Sequence, residues 1–324
     1  MAVDGIVSVW KDAGMTSHDV VSKMRKLFGQ KRIGHAGTLD PQVTGVLLVC
    51  LGQATRLVER LQSQSKIYSA DVMFGKSTDT EDLQGEVIQQ IDSVSVHQSV
   101  NESSWKQSLQ TFLGEQQQVP PMVSAVRVNG KRLYEYAREG QIIERKSRQI
   151  KIYRIEANAW HISEIGFPIG SFEVECSKGT YVRTICTDMG ARFGIPAVMS
   201  HLVRTGYGRF SKSDSFSLEQ LNDLKLEGRL EESVVSITKA LQGWRFAKVN
   251  DPARMKWVRN GGSLLSDEWS EVIPESLPNE GEFALLDSFN QVVGIYQWNE
   301  SKQAWKPDVI FQTELNESLE VVET

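Results

Sequence analysis

Gly34-His35-Ala36-Gly37-Thr38-Leu39-Asp40-Pro41-Gln42-Val43-Thr44-Gly45 is the stretch around which the chain is organised, and it directly precedes the apolar run at 46–51. Glycines permit backbone conformations that other residues resist, and they let other groups approach the main chain closely. Pro41 fixes its own φ and disfavours a helical conformation at Asp40. We therefore predict a stiff, non-helical turn that aims the Asp40 carboxylate and leads into a buried strand. The alternative is an ordinary glycine-rich turn in which Asp40 caps its own backbone.

Length and composition indicate a soluble protein of two domains. A chain of 324 residues exceeds the size at which one core keeps growing, and its 40% hydrophobic and 24% charged residues are typical of globular proteins. The N-terminus has no long apolar segment and the run at 46–51 is too short to cross a bilayer, so we expect a cytoplasmic protein with no membrane association. Cys50, Cys176 and Cys186 form no Cys-x-x-Cys pair and are expected to be buried, reduced thiols rather than a disulfide or metal site.

The net charge of −5 hides an uneven distribution. Segment 127–154 holds nine Lys and Arg against three Glu (+6), segment 176–212 six against one acid (+5), and segment 11–35 six against two (+4). In contrast, 77–104 carries six acids and 263–288 carries seven, with no Lys or Arg in either. Positive charge collected in a few segments can build a local basic surface for nucleic acid on an acidic protein. An ordinary charged surface is the alternative.

Periodicity and capping residues predict an α+β protein. Strands are predicted at 5–10, 46–51, 66–74, 123–128, 141–157, 171–177 and 198–210. Helices are predicted at 17–28 (capped by Ser17 and ended by Gly29), 53–62, 103–113, 132–139, 180–193, 217–224 and 231–241. A strand-rich unit follows at about 245–312, with a helix beginning at Asp251-Pro252 and a hairpin at 283–287 and 291–298. The acidic last twelve residues are predicted to be a frayed tail.

Six motifs occur in a fixed order along the chain: Gly34-His35-Ala36-Gly37-Thr38-Leu39-Asp40-Pro41, Lys66-x-Tyr68, Thr78-Asp79-Thr80-x-Asp82-x-x-Gly85, Pro120-Pro121-Met122-Val123-Ser124-Ala125, Gly130-Lys131-Arg132-x-Tyr134-x-x-Ala137-Arg138 and Lys178-Gly179-Thr180-Tyr181-Val182-Arg183. Together they resemble the bacterial tRNA pseudouridine synthase B (TruB) family, strongly over about 5–212. The resemblance implies a catalytic domain at 1–243, with a central mixed, mostly antiparallel sheet flanked by helices. It also implies a thumb-like basic insertion at about 127–154, a small strand-rich, PUA-like RNA-binding domain at 244–312, and an acidic tail at 313–324.

The activity that this resemblance implies is isomerisation of the uridine at position 55 in the T loop of tRNA. The N1–C1′ bond breaks, the uracil turns while bound, and a C5–C1′ bond forms. Substrate and product contain the same atoms, so the family needs no cofactor and no metal. In agreement, the sequence contains no dinucleotide-binding, phosphate-loop or metal-ligand motif. The implied partner is the tRNA T stem-loop, without a guide RNA or a membrane, and we expect a monomer.

The resemblance also assigns roles to individual residues. Asp40 is the implied nucleophile, and a guanidinium at Arg183 can hold Asp40 and Asp82 in one charge network. Tyr68 is implied to stack on the target base and to be a candidate for removing the C5 proton. The implied substrate-binding residues are His35, which inserts into the RNA, Leu202, which lines the uracil pocket, and Lys178, Tyr181, Lys131 and Arg132.

Other functional classes fit less well. A zinc-dependent base deaminase needs a His-x-Glu and a Pro-Cys-x-x-Cys pattern, and the sequence has neither. A hydrolase using His35 and Asp40 would lack an oxyanion site at a definable spacing. Guide-RNA-dependent relatives share the catalytic core but usually carry additional N-terminal sequence and partner proteins. A tRNA-binding folding chaperone without catalysis remains the alternative of a different class.

Overall fold

A computed structural model of the chain describes residues 2–265, 269, 272 and 280–312. The predicted acidic tail at 313–324 lies outside these residues. Within the described part, no helix is both long and apolar enough to cross a membrane.

The strands, in chain order, are β1 (Gly5–Lys11), β2 (Ile33–Ala36), β3 (Thr44–Leu51), β4 (Lys66–Phe74), β5 (Lys76–Thr78), β6 (Val87–Gln90), β7 (Gly114–Gln118), β8 (Arg127–Val128), β9 (Lys131–Arg132), β10 (Arg148–Ile162), β11 (Pro168–Cys176), β12 (Ala197–Tyr207), β13 (Phe210–Ser211), β14 (Phe246–Lys248), β15 (Leu264–Leu265), β16 (Glu282–Leu286), β17 (Val292–Asn299) and β18 (Ala304–Ile310). The α-helices are α1 (Ser17–Phe28), α2 (Val58–Ser63), α3 (Ser93–Ser99), α4 (Glu102–Gln110), α5 (Leu133–Arg138), α6 (Val182–Arg192), α7 (Leu218–Leu226), α8 (Ile237–Ala240) and α9 (Pro252–Arg259). Short 3₁₀ segments cover Gly52–Leu57, Lys212–Asp214, Leu230–Ser233 and Glu300–Lys302.

The main sheet is mixed and mostly antiparallel. Its strand order is β1-β3-β12-β4-β11-β10-β7, with β2 paired to β3 and β13 paired to β12. The contact between β3 and β12 is parallel, whereas β4 pairs antiparallel with both β12 and β11. Alternation of apolar and polar residues predicts β4 with the bounds that the structure gives it. The predicted α+β class and central sheet are confirmed.

Helices pack against the main sheet, and their apolar side chains complete its hydrophobic cores. Trp105 of α4 and Met189 of α6 pack into one apolar cluster with sheet residues. Val20 and Met24 of α1 pack into another cluster, where burial of such a side chain contributes about 1.5–3 kcal/mol. The three cysteines are free and buried, as predicted.

A second sheet lies in the C-terminal part, with strand order β14-β16-β17-β18-β15. It contains the predicted hairpin, and α9 begins at Pro252 with Asp251 as its N-cap, as predicted. Ala284 and Ile295 of this sheet share an apolar cluster with Leu48 and Leu57. The two sheets are therefore joined by buried apolar contacts.

Several predicted elements are wrong. Segment 123–128 is not a strand except at Arg127–Val128, because the carbonyl of Val123 accepts from Arg183 and that of Ser124 accepts from Tyr134. The helix predicted at 231–241 is interrupted at Val235, whose main chain pairs with Ile6 of β1.

Further differences from the prediction concern the cap of α1, the glycine-rich stretch and the basic insertion. The cap of α1 is Thr16 rather than Ser17, because Thr16 and Asp19 form a reciprocal capping box. The first part of the glycine-rich stretch forms β2. In the predicted basic insertion, residues 148–154 belong to β10 of the main sheet, so the part outside that sheet is 127–147.

Candidate active site

The turn that carries Asp40 connects β2 to β3, as the proline and glycines predict. Gly37 has φ 76°, and a Cβ at that position would lie 2.9 Å from the hydroxyl oxygen of Tyr207, so any other residue there would strain the backbone and force the turn or Tyr207 to move. On the opposite side of the turn, the Ser17 hydroxyl accepts from the main-chain NH of Leu39 at 2.9 Å. The turn is therefore held by side chains from two separate elements, and Asp40 is exposed at its tip.

Arg183 provides the cation beside Asp40. It lies in the first turn of α6 and is buried, with Nη2 at 3.4 Å from Asp40 Oδ2 and Nη1 at 3.3 Å from Asp82 Oδ2. Its Nη1 also donates to the carbonyl of Thr80, and its Nη2 to the carbonyl of Val123, each at 3.1 Å. The guanidinium thus joins three segments that are far apart in the sequence and holds both carboxylates in one network.

The loop at 78–85 presents Asp82 to this arginine. Thr80 donates its hydroxyl to Asp82 Oδ1 at 2.7 Å, so the second carboxylate oxygen faces Arg183. Glu81 has φ 65°, which is unusual for a residue with a side chain, and its carboxylate accepts from the Thr184 hydroxyl at 2.7 Å. Burial raises the pKa of Glu81. Glu81 therefore fixes the loop to α6 beside Arg183, a role that the sequence analysis missed.

A cavity of about 120 Å³ opens at Asp40, and its lining includes Tyr68, Tyr181, Arg183 and Leu202. Apolar and aromatic side chains form its walls, while the carboxylate and the guanidinium lie at one side. A pocket of this kind suits a flat, uncharged ring next to an anionic group. Four residues predicted from three separate motifs, Asp40, Tyr68, Tyr181 and Arg183, are thus brought to one cavity together with Leu202.

Burial raises the pKa of the Tyr68 phenol, and the nearby positive charge of Arg204 acts in the opposite direction without reversing the shift. The hydroxyl is therefore protonated at neutral pH. Tyr68 lies on β4 opposite Arg204 of β12, so the sheet register sets its position at the cavity.

A second cavity of about 520 Å³ adjoins the first and shares Thr38, Tyr68, Thr180 and Tyr181 with it. Its lining contains four cationic residues and no acid: Lys66, Arg148, Lys178 and Arg204. Burial, aided by the charge of Arg204, lowers the pKa of Lys66 to about 8. The two cavities together form a cleft: Asp40 lies in the first cavity, and the four cationic side chains line the second.

The remaining predicted site residues have mixed positions. His35 lies on β2 and is half-buried. Its Nδ1 is buried and has no hydrogen-bond partner among the described residues, and burial lowers the pKa of the imidazole. Lys178 lines the second cavity. Lys131 and Arg132 line neither cavity: they lie on the β8–β9 hairpin, where Lys131 pairs with Glu139 at 2.5 Å.

Two buried cations at the Asp40 turn were not singled out by the sequence analysis. Arg204 donates to the carbonyls of Gly37 and Thr38, and Lys11 donates to the carbonyl of Pro41 at 3.1 Å. Both are almost inaccessible to solvent. The lone Lys11 at the end of a strand and Arg204 within a strand carry no local signal of burial, so sequence alone could not identify them.

Family models match most of the chain. The TruB family pseudouridylate synthase N-terminal domain matches residues 25–182, and the tRNA pseudouridylate synthase B C-terminal domain matches residues 183–242. The chain is 42% identical over 302 residues to a tRNA pseudouridine synthase B of Bacillus pumilus, covering 93% of this chain and 95% of that protein. It is 40% identical over 326 residues to the one of Listeria welshimeri, covering 98% and 100% of the two proteins.

Solved structures agree on the fold. The crystal structure of a Cbf5-Nop10-Gar1 complex matches with a TM-score of 0.70 at 24% identity, covering 95% of this chain and 85% of that chain. The structure of an H/ACA RNP bound to a substrate RNA containing 2′-deoxyuridine matches with a TM-score of 0.68 at 24% identity and the same coverage. Both similarities concern the fold alone. From the family matches and the near-complete coverage of its relatives, we conclude that this chain belongs to the TruB family of pseudouridylate synthases.

Proposed function

We propose that the protein converts the uridine at position 55 in the T loop of tRNA to pseudouridine, with Asp40 as the nucleophile. The observation that carries this proposal is the half-exposed Asp40 carboxylate at the cavity, 3.4 Å from the buried guanidinium of Arg183. The names of the relatives at 42% and 40% identity, tRNA pseudouridine synthase B, support a tRNA substrate.

The reaction rearranges bonds within one nucleotide. The N1–C1′ bond breaks, the uracil turns, the C5–C1′ bond forms, C5 loses a proton and N1 gains one. Arg183 holds the Asp40 carboxylate in a fixed orientation, and a nucleophilic carboxylate needs positioning more than activation. The cavity walls at Tyr68 and Leu202 would confine the uracil while it turns.

Extrusion of the target nucleotide must be offset by contacts in the cleft. Removing a base from its stack costs a few kcal/mol, and stacking on an aromatic side chain returns about 1–3 kcal/mol per base. Tyr68 would stack on the extruded uracil, and His35 would occupy the space that the nucleotide leaves in the RNA. Burial holds the pKa of His35 below its usual value, so the imidazole is neutral and suited to stacking at neutral pH.

The basic cavity would hold the sugar-phosphate backbone next to the extruded nucleotide. Lys178 and Arg148 are exposed there, and no acid lines the cavity. Lys131 and Arg132 of the hairpin would contact the T stem outside the cleft. Phosphate contacts give affinity that falls with salt but little sequence information, so recognition would depend on the shape of the folded T loop.

We assign catalysis to residues 1–243 and further tRNA contacts to residues 244–312. The nine-stranded sheet, which carries Asp40 and Tyr68 in or beside its strands, falls in the first range, and the five-stranded sheet falls in the second. The protein acts on the tRNA as a monomer and without a guide RNA in this proposal.

The deciding experiment is a chemical map of pseudouridine on unmodified tRNA incubated with the purified protein alone. We expect one modified position, in the T loop, and the same product on an isolated T-arm hairpin. A hairpin with cytidine at the target position is the matched control and should remain unmodified. RNA binding without any product would instead support the chaperone alternative and reject the enzymatic proposal.

A further inference from the structure

Arg204 of β12 is a buried cation whose identified acceptors are uncharged. Its side chain is 1% exposed, and its Nε donates to the carbonyl of Val46 at 2.7 Å. The Nη2 donates to the carbonyl of Gly37 at 3.2 Å, and the Nη1 reaches that of Thr38 at 3.4 Å. Burying a guanidinium without a carboxylate is costly, so an arginine retained in such a place indicates a specific task.

The acceptors of Arg204 define that task. Gly37 and Thr38 begin the turn that carries Asp40, and Val46 is in the strand that follows it. The guanidinium therefore spans the base of the turn and holds both of its ends. A lysine could not do this, because an ammonium is a compact donor rather than a planar fork.

The main chain of Arg204 is fixed as firmly as its side chain. Arg204 is paired with Gly45 across the parallel contact between β12 and β3. A Cβ at Gly45 would lie 2.2 Å from the carbonyl oxygen of Arg204, so the two backbones can approach this closely only because residue 45 is glycine. The guanidinium carbon Cζ also lies over the ring of Tyr207, 4.9 Å from the ring centroid.

The same guanidinium lies beside the hydroxyl of Tyr68, which faces Arg204 across the β4–β12 pair. It thus contacts the scaffold of the carboxylate on one side and the aromatic residue of the cavity on the other. Arg183, in contrast, contacts the carboxylates themselves. Arg183 therefore acts directly on the carboxylates, whereas Arg204 acts on the main chain of the turn that carries Asp40 and on Tyr68.

We infer that Arg204 is a positioning residue for pseudouridine formation: it fixes the turn at 37–41 and the Tyr68 hydroxyl relative to each other, so that Asp40 meets the base in a reactive geometry. This inference rests on the proposed function. It predicts that replacing the Arg204 guanidinium displaces the Asp40 carboxylate without removing a contact to RNA. A misplacement of about 1 Å can cost on the order of 10²-fold in rate.

The experiment compares Arg204→Lys and Arg204→Met with the wild-type protein, with the T-arm hairpin as substrate. We expect the single-turnover rate, measured with enzyme in excess, to fall on the order of 10²-fold in Arg204→Lys and further in Arg204→Met, with the RNA dissociation constant within about threefold. Hydrogen exchange, followed by mass spectrometry, should accelerate in peptides covering 37–45 and stay unchanged in β4. Arg25→Lys is the matched control, because Arg25 also donates to two main-chain carbonyls, of Lys31 and Ile33, outside this turn.

Ser17→Ala gives an independent test should Arg204→Met fail to fold, because it removes the opposite anchor of the turn at Leu39. It should lower the same rate without changing affinity. An unchanged single-turnover rate in Arg204→Lys would overturn the inference, and so would a loss of RNA affinity in proportion to the loss of rate. If the wild-type protein makes no pseudouridine, the proposed function is rejected instead. In that case hydrogen exchange still tests the inference, because unchanged exchange at 37–45 in Arg204→Lys would overturn it.

Discussion

Arg183 and Asp40 form an ion pair with very unequal exposure: the arginine side chain is 7% exposed and the aspartate side chain 51%, with 3.4 Å between Nη2 and Oδ2. The cation is therefore fixed by the protein, whereas the anion faces the space that a substrate would enter. Burying both partners would cost further desolvation, which the attraction between the charges repays only with excellent geometry and additional hydrogen bonds. This arrangement is the one expected of a carboxylate that must be both held and reached.

Asp40→Asn keeps the size of the side chain but removes its negative charge. We expect pseudouridine formation on the T-arm hairpin to fall by at least about 10³-fold, because a nucleophile acts as an all-or-none part of the site. The RNA dissociation constant should stay within about threefold, as measured by filter binding. Retained turnover would remove Asp40 from the mechanism.

Arg183→Lys should lower the rate by about 10²-fold, since one ammonium cannot reach Asp40, Asp82 and two carbonyls at once. Arg229→Lys is a matched control: Arg229 also bridges two carboxylates, of Glu227 and Glu232, but on the surface. That variant should keep the wild-type rate. If Arg183→Lys lost RNA affinity instead of rate, Arg183 would be a phosphate contact.

Gly37→Ala tests the shape of the turn. The residue has φ 76°, and the added methyl group would meet the Tyr207 hydroxyl, so we expect the turn to shift and the rate to fall by about 10-fold or more. Gly29 has φ 65° at the end of α1, with open space around it. Gly29→Ala therefore carries a similar backbone cost without the clash and should leave the rate unchanged. Equal rates in the two variants would show that the clash is relieved elsewhere.

Lys66 should make stability depend on pH in a defined window. Its Nζ donates to the carbonyls of Gln62 and Gln64, yet burial lowers its pKa to about 8 from an ordinary value of 10.5. Between these two pH values the unfolded chain binds more protons at Lys66 than the folded one, so the free energy of unfolding rises with pH. Below pH about 8 Lys66 is protonated in both states, and its contribution does not change with pH. The contribution is about 3 kcal/mol across the window.

Urea unfolding of wild type and Lys66→Met at pH 7 to 10.5 isolates this effect, because thiols and phenols titrate equally in both proteins. The wild-type stability minus the variant stability should increase with pH. Lys106→Met, which removes an exposed lysine paired with Glu102, is the matched surface control. A difference for Lys66→Met that does not increase with pH would mean that Lys66 stays charged in the folded protein.

Local patterns predict those elements whose stability is decided locally. β4 has a clear period of two, and α1 is bounded by a threonine–aspartate capping box and by Gly29, so both were predicted to within one residue. Segment 123–128 has an equally good strand pattern, but its carbonyls bond to Arg183 and to α5, which come from later in the chain. Long-range partners therefore override the local preference there.

The same distinction applies to the site. Asp40, Tyr68, Asp82 and Arg183 belong to recognisable motifs, and the structure brings Asp40, Asp82 and Arg183 into one network. The burial of Arg183 could not be predicted, because it depends on loops that start about 100 and 60 residues earlier in the chain. Arg204 and Glu81 act through carbonyls and hydroxyls of other segments, which leaves no trace in their own sequence neighbourhood.

The apolar cluster that includes Leu48 and Leu57 on one side and Ala284 and Ile295 on the other joins the two sheets. For the C-terminal sheet to swing away, this shared interior would have to be opened to water, at about 25 cal/mol for each Å² of apolar surface. The protein thus meets an RNA with its two halves already set at a given angle. In the proposed reaction, the change of shape that brings a nucleotide into the cleft would then come mainly from the RNA.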